Sequence, residues 1–143
     1  MRVMAIVKGS EDSEAGKMPS EELLTAMGKF NEELTEAGLM ITGEGLRASA
    51  KGARVSFGGD GERTVTDGPF TETKELIAGY WLLQVRSMDE AVEWMKRCPN
   101  PHEEAGEIEI RQVFEAEDFG DVMTPEARAA EDPLRERIET QQQ

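Results

Sequence analysis

The chain has 143 residues, of which 38 % are hydrophobic and 32 % are charged, a composition typical of one folded domain with a single core. Its formal net charge is −14 at pH 7, which repels nucleic-acid phosphates and anionic membranes, and Lys and Arg do not cluster along the sequence. We therefore expect neither a nucleic acid nor a membrane as a partner.

The sequence favours a reducing, cytoplasmic location. Its one cysteine, Cys98, excludes an intramolecular disulfide. No apolar run approaches the roughly 18 residues that a membrane span needs, and residues 1–8 are typical of a strand rather than of a signal peptide. Cys98 also completes an apolar row with Ala91 and Met95 at helical spacing, so we expect it to pack in the core as a small hydrophobe.

The first third of the chain predicts a strand followed by one amphipathic helix. Residues 2–8 form the predicted strand, and the polar segment 9–17 is a predicted loop. The helix starts at Ser20 and ends at Gly38, and its apolar side recurs at helical spacing: Leu23, Met27, Phe30 and Leu34. Residues 39–46, which contain two glycines, are expected to be an extended, bent lead into the second strand.

The middle of the chain predicts a hairpin and then a central strand. Residues 54–57 and 63–66 alternate as strands on either side of the glycine-rich turn 58–61. Residues 76–86 carry apolar side chains on both faces, which is typical of a strand in the centre of a sheet. Gly79 within that strand indicates a β-bulge or a close approach of another backbone.

The last part of the chain predicts a second helix, a final strand and an appendage. Residues 87–90 (Ser-Met-Asp-Glu) read as a capping box, in which the serine and the glutamate each bond the other's amide at the start of a helix. Residues 106–114 alternate as the last strand. From Glu115 onward the sequence is acidic and poor in large apolar side chains, and we expect two short helices there, at residues 125–130 and 134–138.

These elements follow the order βαββαβ, which is typical of the α+β class and of a ferredoxin-like sandwich. In that architecture two helices cover one face of an antiparallel sheet and leave the other face bare. The bare face then carries either Trp81, Leu83 and Val85 or the opposite Tyr80 and Leu82. Packing two such sheets together in a two-fold dimer removes this apolar area from water, so we predict a homodimer.

The segment 67–75 (Asp-Gly-Pro-Phe-Thr-Glu-Thr-Lys-Glu) is the strongest candidate for a site. Asp67, Gly68 and Pro69 have the chemistry of a rigid turn, which would aim the Phe70 ring reproducibly. Hydroxyl, carboxylate and ammonium groups follow directly, the mixture expected of a small-molecule pocket with an apolar floor. An ordinary turn with a solvated charged rim explains the same residues.

Residues 65–75, together with segments 43–46 (Gly-Glu-Gly-Leu) and 79–81 (Gly-Tyr-Trp), resemble the DGPF-type branch of the YCII-related family. The resemblance implies a dimeric α+β barrel domain over residues 1–114 and leaves residues 115–143 as an acidic C-terminal extension. Members of that branch are mostly uncharacterised, and many are encoded near sigma factors of the extracytoplasmic-function type. For more distant members a histidine–aspartate pair has been proposed as a catalytic dyad.

This sequence departs from that dyad, because no histidine occurs before His102. Carboxylates remain for acid–base chemistry. We take Asp67 and Glu72 as the candidate catalytic residues, one of them with a pKa raised toward neutrality by burial beside Phe70 or by a like charge. The candidate substrate-binding residues lie in the same three segments that carry the resemblance: Glu44, Gly68, Pro69, Phe70, Lys74, Glu75 and Tyr80.

The sequence predicts neither a metal nor a cofactor. His102 lies near Cys98 and two glutamates, but the chain has no second Cys/His pair, and a structural zinc site needs four ligands. No phosphate loop or dinucleotide fingerprint occurs.

Three functions are compatible with the sequence. The first is a small-molecule-binding dimer, extending to a cofactor-free enzyme that uses carboxylate acid–base chemistry. The second is a non-catalytic regulatory or protein-interaction module linked to sigma-factor transcription control, with the acidic surface and tail contacting a basic protein. The third is a purely structural dimer without a ligand.

Overall fold

The structure, a computed structural model, describes residues 1–142. Its strands are, in chain order, β1 (Arg2–Lys8), β2 (Met40–Gly45), β3 (Ala53–Phe57), β4 (Arg63–Asp67), β5 (Ile77–Gln84) and β6 (Ile108–Gln112). Its α-helices are α1 (Glu11–Glu14), α2 (Glu21–Glu36), α3 (Met88–Lys96) and α4 (Pro125–Gln141). The chain divides into two compact units, the first ending at Gln112 and the second starting at Val113.

The main sheet is antiparallel, and its four strands lie in the order β2–β5–β1–β6. Strand β5 is central, as its two apolar faces predict. Helices α2 and α3 pack on one face of the sheet, and the α+β, ferredoxin-like fold predicted from the sequence is confirmed. The core between helices and sheet contains Val3, Ala5, Val7, Phe30, Leu34, Leu39, Trp81, Leu83, Val85, Ala91 and Met95.

Helix α2 forms where its sequence pattern predicts it. The Ser20 side chain caps the N-terminus by accepting a hydrogen bond from the Leu23 amide, and the chain leaves the helix through Gly38 with a φ of 76°. Phe30 packs edge-on against the Trp81 ring at 6.0 Å between centroids. The Trp81 indole N–H donates to Asn31 Oδ1 at 2.8 Å, so the one polar atom of this buried ring is satisfied.

Helix α3 begins with half of the predicted capping box. The Ser87 hydroxyl accepts a hydrogen bond from the Glu90 amide at 3.1 Å, as predicted. The prediction of a reciprocal bond from Glu90 is wrong. Its carboxylate accepts a hydrogen bond from the Arg86 amide and pairs with the Arg86 guanidinium at 3.1 Å. A full positive charge is a stronger partner for the carboxylate than one backbone amide. Cys98, just beyond the helix, is half-buried against the core, and burial raises the pKa of its thiol from 9.0 to about 11.

The second strand of the sheet is not where the sequence places it. Residues 39–46 were expected only to lead into that strand, whereas Met40–Gly45 is itself β2 and pairs with β5. The predicted hairpin is β3–β4, and it forms a separate two-stranded sheet. Gly43 explains the pairing of β2, because a side chain at that position would meet the Trp81 ring at 2.7 Å.

Gly79 marks both features that the sequence left open. The pairing of β1 with β5 shifts register between Val7 and Lys8, which leaves Ala78 as a bulge beside Gly79. On the other side, a Cβ on Gly79 would lie 2.9 Å from the Glu44 carbonyl oxygen. The glycine therefore permits strand β2 to approach closely at this end of the sheet.

The sheet face opposite the helices carries a mixed, half-buried surface. Pairing across the strands aligns Glu44, Tyr80, Ile6 and Glu109 in one row and Thr42, Leu82, Met4 and Arg111 in the next. The apolar members of both rows are half-buried, in contrast to the buried Val3, Ala5, Trp81 and Leu83 on the helix side. The bare face is thus the one with Tyr80 and Leu82. We name it the open sheet face.

The second unit contains one long helix instead of the two short ones predicted. Helix α4 runs through Pro133, and Thr124 caps its start by accepting a hydrogen bond from the Ala127 amide. The proline removes one backbone donor, and the bonds on either side are enough to continue the helix. Ahead of it, 3-10 turns span Ala116–Val122, where the Phe114 and Phe119 rings stack at 4.9 Å. Within residues 1–142, no helix is long and apolar enough to cross a membrane.

Candidate functional site

The Asp67–Phe70 turn, which we call the DGPF turn, lies at one end of the main sheet. It follows β4 and precedes a 3-10 helix at Thr73–Glu75, which leads into β5. The Gly9 amide after β1 donates to the Leu76 carbonyl at 2.7 Å, and the Leu46 amide after β2 donates to the Ala78 carbonyl at 2.8 Å. The residues that follow β1 and β2 therefore hold Leu76 and the start of β5, which follow the turn.

Backbone hydrogen bonds fix the DGPF turn against residues 49–52. The Gly68 amide donates to the Gly52 carbonyl at 3.0 Å, and the Phe70 amide donates to Ser49 Oγ at 2.9 Å. A Cβ on Gly68 would overlap the Ser49 carbonyl oxygen, so only glycine allows this approach. The Gly68–Pro69 peptide bond is cis. The turn is an ordered feature of the fold and not a loose connection.

Ser49 and Glu14 form a second layer behind the turn. The Ser49 amide donates to Glu14 Oε1 at 3.1 Å, and the Ser49 hydroxyl donates to the other carboxylate oxygen in a very short hydrogen bond. The same hydroxyl accepts the Phe70 amide, so Glu14 orients the group that holds the turn. Glu14 is the last residue of α1, a one-turn helix capped by Ser10. The prediction of a loop over residues 9–17 is therefore wrong at Glu11–Glu14.

Arg54 joins the ring and the carboxylate that the turn presents. Its guanidinium carbon lies 3.8 Å from the centroid of the Phe70 ring, a cation–π contact, and its Nη1 lies 3.5 Å from Glu72 Oε2. The Arg54 and Glu72 side chains are both about half exposed, at 45 % and 49 %. The three groups form a surface that is open to a ligand in the protomer.

The environment of Glu72 lowers the pKa of its carboxyl group. The largest cause is a hydrogen bond from its own backbone amide; partial desolvation opposes the shift, and the charge of Arg54 adds to it. The sequence hypothesis that burial raises a carboxyl pKa here is therefore wrong for Glu72. The ionised Glu72 carboxylate can accept hydrogen bonds, and its lowered pKa makes it a weaker proton acceptor than an ordinary glutamate.

The other candidate residues lie in three places. Asp67 ends β4, is exposed, and pairs with Ala53 across the hairpin. Lys74 and Glu75 are exposed on the 3-10 helix that follows the turn. Glu44 and Tyr80 form a cross-strand pair on the open sheet face, one position from the end that carries the turn. The structure thus gathers Phe70 and Glu72 around Arg54 and leaves Glu44 and Tyr80 on the sheet.

A groove of about 550 Å³ lies elsewhere in the first unit, between α3 and the edge strand β6. Its walls include Val92, Met95, Cys98, Ile108 and Ile110, and none of its lining residues belongs to the predicted site. Apolar side chains of α3 and β6 form much of its walls. We base the candidate site on the DGPF turn, because the groove has no convergent polar network comparable with Glu14, Ser49 and Phe70 in the described residues.

His102 has a structural role at the same end of the sheet. Its Nε2 lies 2.8 Å from the Lys8 carbonyl, which can only accept, and its amide donates to Asn100 Oδ1 at 3.0 Å. The first contact joins the loop between α3 and β6 to the end of β1, and the second lies within that loop. Across residues 1–142, no three His, Cys, Asp or Glu side chains are placed to hold a metal ion together.

Three residues of this site carry no signal in the sequence. Ser49 contacts Phe70 across 21 positions of the chain, and Arg54 contacts Glu72 across 18 positions. Glu14 contacts Ser49 across 35 positions, and neither spacing nor periodicity connects these residues. They follow only from the three-dimensional arrangement.

The family model of the YCII-related domain matches residues 1–117. A protein of Rhizobium meliloti (strain 1021), described as uncharacterized, is 40 % identical over 53 residues, which is 37 % of this chain and 43 % of that relative. The matched stretch thus spans less than half of the relative. Because the family model matches far more than half of the chain, this chain belongs to the YCII-related domain family, part of the dimeric α+β barrel superfamily.

Proposed function

We propose that this chain is a homodimeric small-molecule-binding protein whose ligand contacts the DGPF turn. The observation that carries the proposal is the two-layer support of an exposed turn: Glu14 holds Ser49, and Ser49 holds the Phe70 amide. Rigid support of exposed polar and aromatic groups is what a binding site requires, because it removes the entropy cost of ordering them when the ligand arrives.

The groups at the turn suit a small organic ligand with a planar apolar part and hydrogen-bond donors. The Phe70 ring and the Arg54 guanidinium offer a flat surface for stacking. The Glu72 carboxylate is ionised and accepts hydrogen bonds, and Asp67 adds a second carboxylate at the end of β4. In the enzymatic form of the proposal, Glu72 or Asp67 accepts a proton from the bound substrate and returns it, with no cofactor.

The open sheet face supports the dimer. Met4, Ile6, Tyr80 and Leu82 lie together there and are only half-buried, in contrast to the buried side chains on the face that α2 and α3 cover. Packing the open sheet faces of two copies together covers these side chains and gives Glu44 and Tyr80 a place in or beside the interface. Membership of a superfamily of dimeric barrels supports this arrangement.

A thermal denaturation screen tests ligand binding at the turn. A ligand that binds only the folded protein raises the melting temperature. We expect at least one compound of a metabolite library to stabilise the wild type and not the Asp67→Asn or Glu72→Gln variant. The matched control is Glu32→Gln on the exposed side of α2, which should respond as the wild type does. Equal responses in all four proteins would contradict the proposed site.

A second candidate function is a regulatory module that binds a basic protein partner. One observation favours it: the Phe114 and Phe119 rings stack while remaining 66 % and 43 % exposed, beside an acidic helix. Exposed aromatic pairs with a charged rim are typical of protein-binding surfaces. The resemblance to proteins encoded near sigma factors suggests a component of transcription, and that role would place the chain in the cytoplasm.

This second function has its own test. A purified sigma factor of the extracytoplasmic-function type, immobilised on a surface, should bind the wild type and lose at least about tenfold in affinity for a Phe114→Ser, Phe119→Ser variant. Asp67→Asn serves as the control and should bind as the wild type does. No binding by the wild type, or equal binding by both variants, would rule this function out.

A further inference from the structure

We propose that strand β6 is an interaction surface at which a second copy of the chain adds its own β6, antiparallel, and so extends the main sheet. This edge is separate from the open sheet face, so the inference stands apart from the dimer proposed above. The partner that fits the edge is the same strand, because the charges along β6 complement their own reversed order.

Strand β6 is one edge of the main sheet. It pairs with β1 on its inner side, and no strand within residues 1–142 pairs with its outer side. An edge strand presents a row of backbone donors and acceptors to which another chain can pair. In such strand addition the main-chain hydrogen bonds supply affinity, and alternate side chains supply specificity.

The hydrogen bonds between β1 and β6 show which backbone groups of β6 are left over. In an antiparallel pair, opposite residues alternate between exchanging both backbone hydrogen bonds and exchanging none. The Lys8 amide donates to the Glu107 carbonyl at 3.1 Å, which continues the register of the two strands. Alternate residues starting from Glu107 therefore bond β1. The residues between them direct their amide and carbonyl groups away from the sheet: Ile108, Ile110 and Gln112.

The side chains of these outward residues lie on the helix side of the sheet. Ile108 and Ile110 pair with the buried Val7 and Ala5. Both isoleucines are half-buried and line the groove between α3 and β6. A strand added to β6 therefore meets outward backbone groups and an apolar groove at the same edge.

The charges of β6 select a second β6 in one register. The strand reads Ile-Glu-Ile-Arg-Gln, with Ile110 at its centre. When Ile110 pairs with the partner's Ile110, Glu109 lies opposite the partner's Arg111, and Arg111 lies opposite the partner's Glu109. Opposite charges at directly paired positions stabilise a sheet. Within one protomer the two side chains form only an exposed pair at 3.9 Å, whereas two paired strands join four charges in a network.

Other registers are unfavourable. A shift of two residues places Glu109 opposite the partner's Glu109, or Arg111 opposite the partner's Arg111, and like charges in direct opposition destabilise a sheet. A shift of one residue places the outward groups of one strand against groups of the other that already bond β1. The strand thus specifies both its partner and its alignment.

The selected register also satisfies the outward backbone groups. Ile110 exchanges both hydrogen bonds with the partner's Ile110, and Ile108 and Gln112 do so with the partner's Gln112 and the partner's Ile108. The two-fold axis at Ile110 is perpendicular to the sheet, so α3 of both copies lies on the same side. The paired Ile110 residues then lie about 5.5 Å apart between Cα atoms, beside the two grooves.

This contact is weaker than a face-to-face dimer. An edge of five residues buries much less than the roughly 1,200 Å² of the smaller stable interfaces. We therefore expect edge pairing at about 0.1–1 mM protein, after any dimer that forms at micromolar concentration.

Amide hydrogen exchange of the full chain, followed by NMR in a dilution series, tests the edge residue by residue. Between about 0.01 mM and about 1 mM protein, exchange should slow at least about twofold at Ile108, Ile110 and Gln112. Exchange at Glu109 and Arg111 should stay unchanged, because their amides already bond β1. Association through any other surface would not follow this alternation.

Two substitutions at Gln112 isolate the backbone contribution. Gln112→Pro removes an outward donor and leaves the ladder with β1 intact, whereas Gln112→Ala removes the same side chain and keeps the donor. The protection of Ile110 at high concentration should disappear in Gln112→Pro and persist in Gln112→Ala. Far-UV circular dichroism checks that both variants are folded.

Charge substitutions test the register and do not depend on the proline variant. Arg111→Glu places a carboxylate opposite the partner's Glu109, and Glu109→Arg places a guanidinium opposite the partner's Arg111. Each variant alone should therefore lose the protection of Ile110. An equimolar mixture of the two should regain it, because opposite charges then face each other at both paired positions.

The outcomes separate this inference from the proposed dimer. Exchange at the outward amides that does not depend on wild-type concentration would overturn the edge pairing. Protection that survives in Gln112→Pro, Arg111→Glu and Glu109→Arg would overturn it as well. Alternating protection in the wild type, lost in these variants, supports it. The sheet-face dimer is judged by its mass at micromolar concentration, so either proposal can fail while the other holds.

Discussion

Ser49 links two parts of the molecule that are distant in sequence. Its hydroxyl accepts the Phe70 amide and donates to Glu14, so a single oxygen atom connects the DGPF turn to α1. Both partners are half-buried at this point, which makes each hydrogen bond costly to lose. The turn should therefore depend on Ser49 more than on any of the exposed residues that it presents.

Replacing Ser49 by alanine should destabilise the protein by about 1–3 kcal/mol, because the Phe70 amide and the Glu14 carboxylate both lose a partner. Urea denaturation measures the change, and hydrogen exchange should accelerate at the Phe70 amide in particular. Ser56→Ala on the exposed polar face of β3 is the matched control and should stay within about 0.5 kcal/mol of the wild type. A Ser49→Ala protein as stable as the control would mean that the turn is held by other contacts.

Glu72 gives a prediction about pH. Because the pKa of its carboxyl group is below the ordinary 4.5 in the folded state, ionisation of Glu72 favours folding above that pH. This contribution is lost as the pH falls through the lowered pKa. The wild type should therefore lose more stability than Glu72→Gln on acidification from about pH 6 to about pH 3. Because the side chain is half exposed, salt should reduce the part of the effect that comes from Arg54.

Carbon-detected NMR titration of the Glu72 carboxyl group measures this directly. The midpoint should lie below 4.5 in the wild type. In Arg54→Gln it should rise only slightly, because the residue's own amide is the largest cause of the shift and the Arg54 charge is a smaller one. A wild-type midpoint at or above 4.5 would contradict the geometry of the site.

At the scale of elements, the sequence predicts those helices and strands whose apolar residues recur at a regular spacing. Helices α2 and α3 and strands β1 and β5 follow from apolar spacing, and the two-sided pattern of β5 places it correctly in the centre of the sheet. The sequence does not predict strand β2, because Gly43 and Gly45 interrupt the apolar alternation that indicates a strand. Its place in the sheet depends on the room that Gly43 leaves for the Trp81 ring, which is a tertiary contact.

The same reasoning explains how much of the site could be predicted. The turn depends on the backbone preferences of the adjacent residues Gly68 and Pro69, so the position of the turn is predictable from the sequence. The supporting residues Glu14 and Ser49 were not, because their contacts join segments that only the fold brings together. The pKa of Glu72 also depends on a local backbone geometry that the sequence does not specify.

Helix α4 offers a prediction at this scale. Pro133 lies within the helix and cannot donate a hydrogen bond to the carbonyl of Ala129. Pro133→Ala should restore that bond and stabilise the helix by up to about 3 kcal/mol, seen as stronger helical circular dichroism and later melting of the second unit. Ala130→Gly in the same exposed stretch is the opposite control, with a loss of about 1 kcal/mol. An unchanged spectrum for Pro133→Ala would show that the helix does not continue through residue 133.

At the scale of the whole molecule, two forces of opposite sign act on association. The apolar side chains of the open sheet face favour a dimer, whereas two chains of charge −14 repel each other. The dimer should therefore tighten as salt screens the repulsion. A several-fold drop in the dissociation constant between about 0.01 M and about 0.15 M salt is the expected result, measured by sedimentation at fixed pH. A dimer that weakens as salt is added would show that opposite charges, and not apolar faces, hold it together.

The proposed binding protein is a dimer of this chain, because the protomer leaves the apolar side chains of the open sheet face only half-buried. The most direct measurement is sedimentation equilibrium of the wild type at micromolar concentration and about 0.15 M salt. We predict the mass of two chains, with a dissociation constant at or below the micromolar range. A single-chain mass up to about 100 μM would contradict this dimer, since such weak association corresponds to less than about 5.5 kcal/mol of binding free energy.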